Sequence, residues 1–190
     1  MPRYTYFIPF FALAVCVMIA PARALAEEKL TEDNIRAFVE KTTVITSGKE
    51  SAMSGEEIAA YLDAHLHPDA RFKSTMRYAI PGFDVQVKIM SVDKEDFIEG
   101  INHTASTMDN YESQIIISDI KISKDGRKAT LKTKTHESGM MPVADETGKD
   151  EVPVEGMSTC TQILMLSKEE NIQMYNATCI TDIQFDTFAP

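Results

Sequence analysis

Apolar residues recur along this chain with two spacings, and the change from one to the other divides it. Early segments place them three and four apart, as amphipathic helices do; later segments alternate or run in β-branched stretches, as strands do. The first helical pattern follows Leu30-Thr31 and sets Ile35, Phe38, Val39 and Thr42 on one face. Thr31 is its expected N-cap, and Leu30 with Ile35 its hydrophobic staple. The second follows Met53, with Ser54 and Glu57 spaced as a capping box and Met53 and Ile58 as a staple. Ile58, Leu62, His65 and Leu66 share its apolar face, and Pro68 is expected to end it. The third begins at Val92-Asp93, carries Glu95 and Asp96 in its first turn, and buries Phe97, Ile101, Thr104 and Met108.

The remaining segments read as strands. Arg71 to Ile80 and Phe83 to Met90 flank Pro81-Gly82, and Val85, Val87 and Ile89 alternate as a half-buried strand should. Tyr111 to Ser123 and Arg127 to Ser138 flank Asp125-Gly126, a hairpin turn that pairs Ile122 with Ala129 and Ile120 with Leu131. That register puts Lys128, Lys132, Lys134 and His136 on one face. Leu131, Thr133, Thr135 and Glu137 take the other, opposite Ser118, Ile116 and Gln114. Met140 to Glu155 reads as a mobile loop. A last hairpin joins Met157–Leu166 to Ile172–Phe185 through the polar run Ser167 to Asn171. The pattern predicts an α+β domain: a curved, mostly antiparallel sheet with three helices from the N-terminal half packed on one face.

Composition adds a compartment. Residues 1–26 have the form of a secretory signal peptide: Arg3, an apolar stretch from Phe7 to Ala20, and Ala24-Leu25-Ala26 as cleavage site. The apolar run is short for a bilayer and is interrupted by Pro9, and no later run is long enough to span one. Cleavage leaves a single domain, 27–190, and removes two of the 19 basic residues and none of the 29 acidic ones. A surface so acidic repels nucleic acid and anionic lipid, so neither is an expected partner. The expected location is periplasmic or secreted.

Export also leaves two cysteines. A two-residue loop at Glu169-Glu170 and a four-residue loop from Lys168 to Asn171 both set Cys160 directly opposite Cys179. Opposed Cα atoms in a non-hydrogen-bonded antiparallel site are about 4.5 Å apart, within reach of a disulfide. The compartment favours that bond over two buried thiols. Neither face of the last hairpin is cleanly polar: Asn176, Thr178 and Asp182 share one with Met174 and Ile180, and Tyr175, Ala177, Cys179, Ile183 and Phe185 share the other. Both faces are therefore expected to be covered. The helices cover one; a second subunit, giving a homodimer through the sheet, or the loop Met140 to Glu155 covers the other.

The junction Ala64-His65-Leu66-His67-Pro68-Asp69-Ala70-Arg71-Phe72 and the helix start Ser91-Val92-Asp93-Lys94-Glu95-Asp96-Phe97 resemble those of the nuclear transport factor 2-like superfamily, which includes the SnoaL-like polyketide cyclases. The resemblance spans about residues 30 to 185 in element order and implies a cone-shaped α+β fold. That fold hosts isomerases, dehydratases, hydrolases, ligand carriers and assembly domains, so it does not choose among them. Enzymes of this kind place an Asp or His at the cone mouth, often with a Tyr. Here that implies His65 with Asp69, Asp182 or Tyr78 as proton-transfer groups; the alternative is a core or rim histidine bonded to backbone, with Asp69 a turn residue. His65, Tyr78, Thr133, Glu137 and Asn176 are the candidate pocket residues. His136, Met140 and Met141 are the one cluster of soft ligands that copper could use, but most of the nine methionines that remain after cleavage read as core filler. No cofactor motif is present. Two functions remain: an exported domain binding a small apolar molecule or a protein partner, or a small-molecule isomerase, dehydratase or hydrolase.

Overall fold

The computed structural model describes residues 29–46, 53–107, 109–144 and 149–186. The signal-peptide reading of residues 1–26 and the burial of Thr104 and Met108 fall outside the described residues or side chains. Three helices, α1 (Glu32–Thr46), α2 (Gly55–His65) and α3 (Lys94–Thr107), cover one face of a six-stranded sheet. The strands are β1 (Leu66–Ala79), β2 (Gln86–Val92), β3 (Asp109–Ile122), β4 (Lys128–Ala144), β5 (Lys149–Leu166) and β6 (Ile172–Phe185). Their order is β2-β1-β6-β5-β4-β3. Only β1 and β6 run parallel; every other pair is antiparallel, and the curved sheet does not close.

The helix starts obey the expected grammar. Thr31 N–H donates to Asn34 Oδ1 and Asn34 N–H to Thr31 Oγ1, so Asn34 completes a reciprocal cap. Ser54 and Glu57 form the full capping box, and Asp93 Oδ1 accepts from Asp96 N–H. Pro68 is not what ends α2. The helix stops at His65, and β1 starts at once with Leu66. Residues 67 to 70, Pro68 among them, bulge out of the β1–β6 ladder, where a missing N–H costs nothing.

Three other expectations are corrected. β2 starts at Gln86 rather than Phe83 and is an edge strand with no helix over it, so Val85, Val87 and Ile89 are exposed rather than half-buried. The segment from Met140 to Glu155 is not a loop: β4 and β5 continue as a paired ribbon to Ala144↔Lys149. Pro142 and Pro153 are tolerated there because they lie at the sheet's margin, beyond the last pairs to β3 and β6. Met174 faces inward, not outward, because Tyr175 is an extra residue on β6 that reverses the alternation.

Two apolar clusters hold the layers together. One packs Leu30, Ile35, Phe38 and Val39 of the α1 region against Ala129, Leu131, Leu164, Leu166 and Ile172. The other joins Ile58, Leu62, Leu66 and Phe72 to Ala177, with Phe97, Ile98 and Ile101 of α3 packed on it. Met174 touches both. Lys94 pins α3 to α2: its Nζ lies 2.7 Å from both the carboxylate and the carbonyl of Asp63. Cys160 and Cys179 face each other across β5 and β6 and form a disulfide, with Cα atoms 4.1 Å apart.

Candidate functional site

Between the inner face of the sheet and the helices lies an open-ended cavity of about 420 Å³. That is within the usual range of small-molecule sites, ~300–1,000 Å³. Its floor is apolar: Val39, Leu62, Leu66, Phe72, Met174 and Ala177. Phe72 and Phe97 stack in its wall with ring centroids 4.1 Å apart. The mouth lies toward Thr46 at the end of α1 and toward Tyr111, Ser113 and Glu137 on β3 and β4.

A bulge decides which residues of β3 line this space. Ser118 is an extra residue whose hydroxyl donates to Lys132 O. Beyond it the pairing becomes Ile117↔Thr133, Ile115↔Thr135 and Ser113↔Glu137. The partners expected from the turn alone, Ser118, Ile116 and Gln114, are thereby displaced by one residue, and Ile116 and Gln114 turn outward. The cavity wall is more apolar as a result.

Few polar groups remain inside. Thr43 and Thr46 donate their hydroxyl protons to carbonyls one turn back, at Val39 and Thr42. Thr42 Oγ1 pairs with Tyr61 OH at 3.0 Å. Gln162 Nε2 donates to Thr133 Oγ1 at 3.2 Å, and Gln162 Oε1 is buried with no hydrogen-bond partner among the described residues. Tyr111 donates to Glu137 Oε1 at 2.5 Å. Burial, then the negative charge of Glu137 and this bond, push the Tyr111 hydroxyl well above its ordinary pKa, against a smaller opposite pull from Ser113. Tyr111 is therefore a neutral donor at any physiological pH. Among the described residues Glu137 is the one carboxylate lining the cavity, and no Lys, Arg or His lines it.

The sequence-predicted residues fall in different places. Thr133 and Glu137 face inward from β4, Glu137 on the cavity wall and Thr133 fully buried behind Gln162. His65 does not line the cavity. Its Nδ1 is 2.9 Å from the carbonyl oxygen of Ile172, which can only accept, so that nitrogen carries the proton. Its ring packs against Phe38 and Tyr61. Asp69 is exposed in the β1 bulge beside His67. Asp182 and Asn176 lie on the outer face of β6, Asp182 in a two-pronged pair with Arg77 at 2.6 Å. Tyr78 donates to Met76 Sδ away from the cavity. His136 and Met140 face outward four residues apart on β4, about 13 Å at strand rise, and Met141 points to the opposite side. Among the described residues no three His, Cys, Asp or Glu side chains are placed to hold a metal.

Tyr111 and Gln162 were not singled out from sequence. Gln162 was detectable, since it shares a face with Cys160 and Leu164 in an otherwise apolar strand. Tyr111 was not, because the bulge at Ser118, which a period of two does not reveal, turns it to the inner face with Ser113 and Ile115.

No family model matches the sequence, and no curated protein matches it. Its structure is similar to that of a scytalone dehydratase-like protein from Novosphingobium aromaticivorans, at 8% identity and a TM-score of 0.54 over 82% of this chain and 86% of that one. It is also similar to a conserved protein from Planctomyces limnophilus, with 13% identity, TM-score 0.49, and 78% and 95% of the two chains covered. A ketosteroid isomerase-like protein from Erwinia carotovora atroseptica follows, with 12% identity, TM-score 0.42, and 81% and 94% covered. The chain has the nuclear transport factor 2-like fold. At such identities the likeness carries the fold and leaves the activity to be argued from the site.

Proposed function

We propose that this protein is an exported binding domain that holds a small, mainly apolar molecule in its cavity and catalyses no reaction. One observation carries the reading: an open-ended cavity of about 420 Å³ with an apolar floor, whose polar lining among the described residues is hydroxyls, Gln162 and the Glu137–Tyr111 pair. Export rests on the form of residues 1–26 and is supported by the Cys160–Cys179 bond, which suits an oxidising compartment. The alternative, an isomerase, dehydratase or hydrolase working through His65 with Asp69 or Asp182, draws no support from the geometry. The histidine's proton is held by Ile172, and the two aspartates stand on other surfaces.

The partner we propose for the outer face is a second copy of the chain. Val87, Ile89, Ile116, Met157 and Ile180 are each half or more exposed there. The same face carries Lys73, Lys132 and Lys134 alongside Asp119, Glu155 and Asp182, charges of both signs that a two-fold axis can bring into register. The ribbon that could have folded over this face instead extends the sheet. Native mass spectrometry of protein purified from the periplasm tests the readings together. The expected spectrum shows a dimer with a retained small molecule released on denaturation. A monomer free of ligand that also binds no small apolar probe would overturn both.

A further inference from the structure

The charge inside the cavity is as selective as its shape. Glu137 is half-buried at the mouth, and its sole hydrogen bond among the described residues is the one Oε1 accepts from Tyr111. No Lys, Arg or His of the described chain forms an ion pair with it. Its second oxygen lies over Gly156, directly across the β4–β5 ladder; even a Cβ there would come within 3.7 Å of Oε2, and glycine leaves that space open. A half-buried carboxylate needs a charged or donating partner to offset its lost hydration. The buried side-chain polar atom without a partner among the described residues, Gln162 Oε1, is also an acceptor. Among the described residues the cavity therefore presents acceptors that need donors, and no cation for an anionic ligand. The chain as a whole is acidic, with a formal net charge of −10, which repels anions further.

We propose that the ligand is an amine: a compact apolar body seated against Phe72 and Phe97, carrying an ammonium group that pairs with Glu137 at the mouth. This rests on the binding reading of the same cavity and names its ligand class. The ammonium donates to Oε2 while Tyr111 holds Oε1 and fixes the carboxylate's orientation. Thr133 and Glu137 are four residues apart on β4, about 13 Å, so the apolar body has room to reach from the mouth toward Gln162. A carboxylate or phosphate ester of the same body would meet Glu137 as a like charge and is excluded.

Three fluorescent probes of one shape separate the possibilities: 2-naphthylmethylamine, 2-naphthylmethanol and 2-naphthoate, titrated into the mature protein at neutral pH. A charge-assisted bond in a partly buried site favours the amine over the alcohol by about tenfold, and naphthoate binds weaker than the alcohol by at least as much. In Glu137→Gln, which keeps an acceptor for Tyr111, the amine falls to within about twofold of the alcohol. Glu137→Met serves as a second variant should the first lose its fold by circular dichroism. Equal binding of amine and alcohol, tight binding of naphthoate, or an amine preference that survives loss of Glu137 each overturns this inference while alcohol binding keeps the cavity reading. Binding of none of the three overturns both.

Discussion

Glu170 sits at φ 63°, in the left-handed region that side chains with a Cβ occupy at a cost. It closes the β5–β6 turn: Ser167 N–H donates to Asn171 O, and Glu170 N–H to Ser167 O. Glu170→Gly should therefore raise stability by about 0.5–1 kcal/mol, read as a higher urea midpoint at unchanged slope. Tyr111 makes the opposite kind of contribution, one that depends on pH. Its folded pKa is raised, so the folded state holds the proton more tightly than the unfolded chain does. Stability is then intact below about pH 10, the ordinary tyrosine value, and declines as pH rises past it toward the folded value. Tyr111→Phe should flatten the alkaline arm of the stability–pH curve and leave the neutral region's shape unchanged; an equally steep arm in the variant would refute the assignment.

At the scale of elements, alternation predicted strands well and their faces less well. The Cys160–Cys179 pairing expected from sequence is present, but by a different route. The loop has three residues rather than two or four, which alone would shift the register by one; the extra residue Tyr175 shifts it back before the cysteines. Ser118 shifts β3 by one residue without a compensating change, so three of the five expected β3–β4 pairs moved. Bulges are local backbone choices that a periodicity of two does not reveal. The disulfide closes a separation of 19 residues. Replacing both cysteines by alanine should cost about 3 kcal/mol on the chain-entropy estimate. Calorimetric melting with and without reductant would check it: wild type should lose stability on reduction and the double variant should not. The capping box of α2 adds an acid dependence. Hydrogen bonds from the backbone and side chain of Ser54 lower the Glu57 pKa. That contribution is present above the ordinary carboxylate range and fades as pH falls through the folded value, a dependence that Ser54→Ala should weaken.

The whole molecule is two apolar clusters with a cavity left between them. The outer face is where we propose that a second copy of the chain docks. Ile180 is half exposed at its centre, on a strand flanked by β1 and β5. Ile180→Lys should weaken self-association by at least about tenfold and leave the melting of the isolated subunit within about 0.5 kcal/mol of wild type. Sedimentation velocity across a dilution series reads this directly, and an unaltered dimer would remove the sheet face as the interface.

The sequence alone was enough for the three helices and their caps, the central strands and the α+β layering, because each follows from local periodicity or from interactions spanning a few residues; it also paired the cysteines, though two departures from the expected backbone had to cancel for that. Thr133 and Glu137 share the Leu131 face as alternation from the Asp125-Gly126 turn expects, because β4 pairs with β5 without a register shift as far as Ala144. Tertiary structure decided the rest. His65 was expected on an apolar face and is on one, but which neighbour takes its proton depends on β6, more than 100 residues away. Tyr111 met Glu137, Gly156 left its second oxygen open, and Met174 turned inward only through bulges and long-range pairing. A cavity is the space that packed elements fail to fill, and no single segment of sequence encodes it.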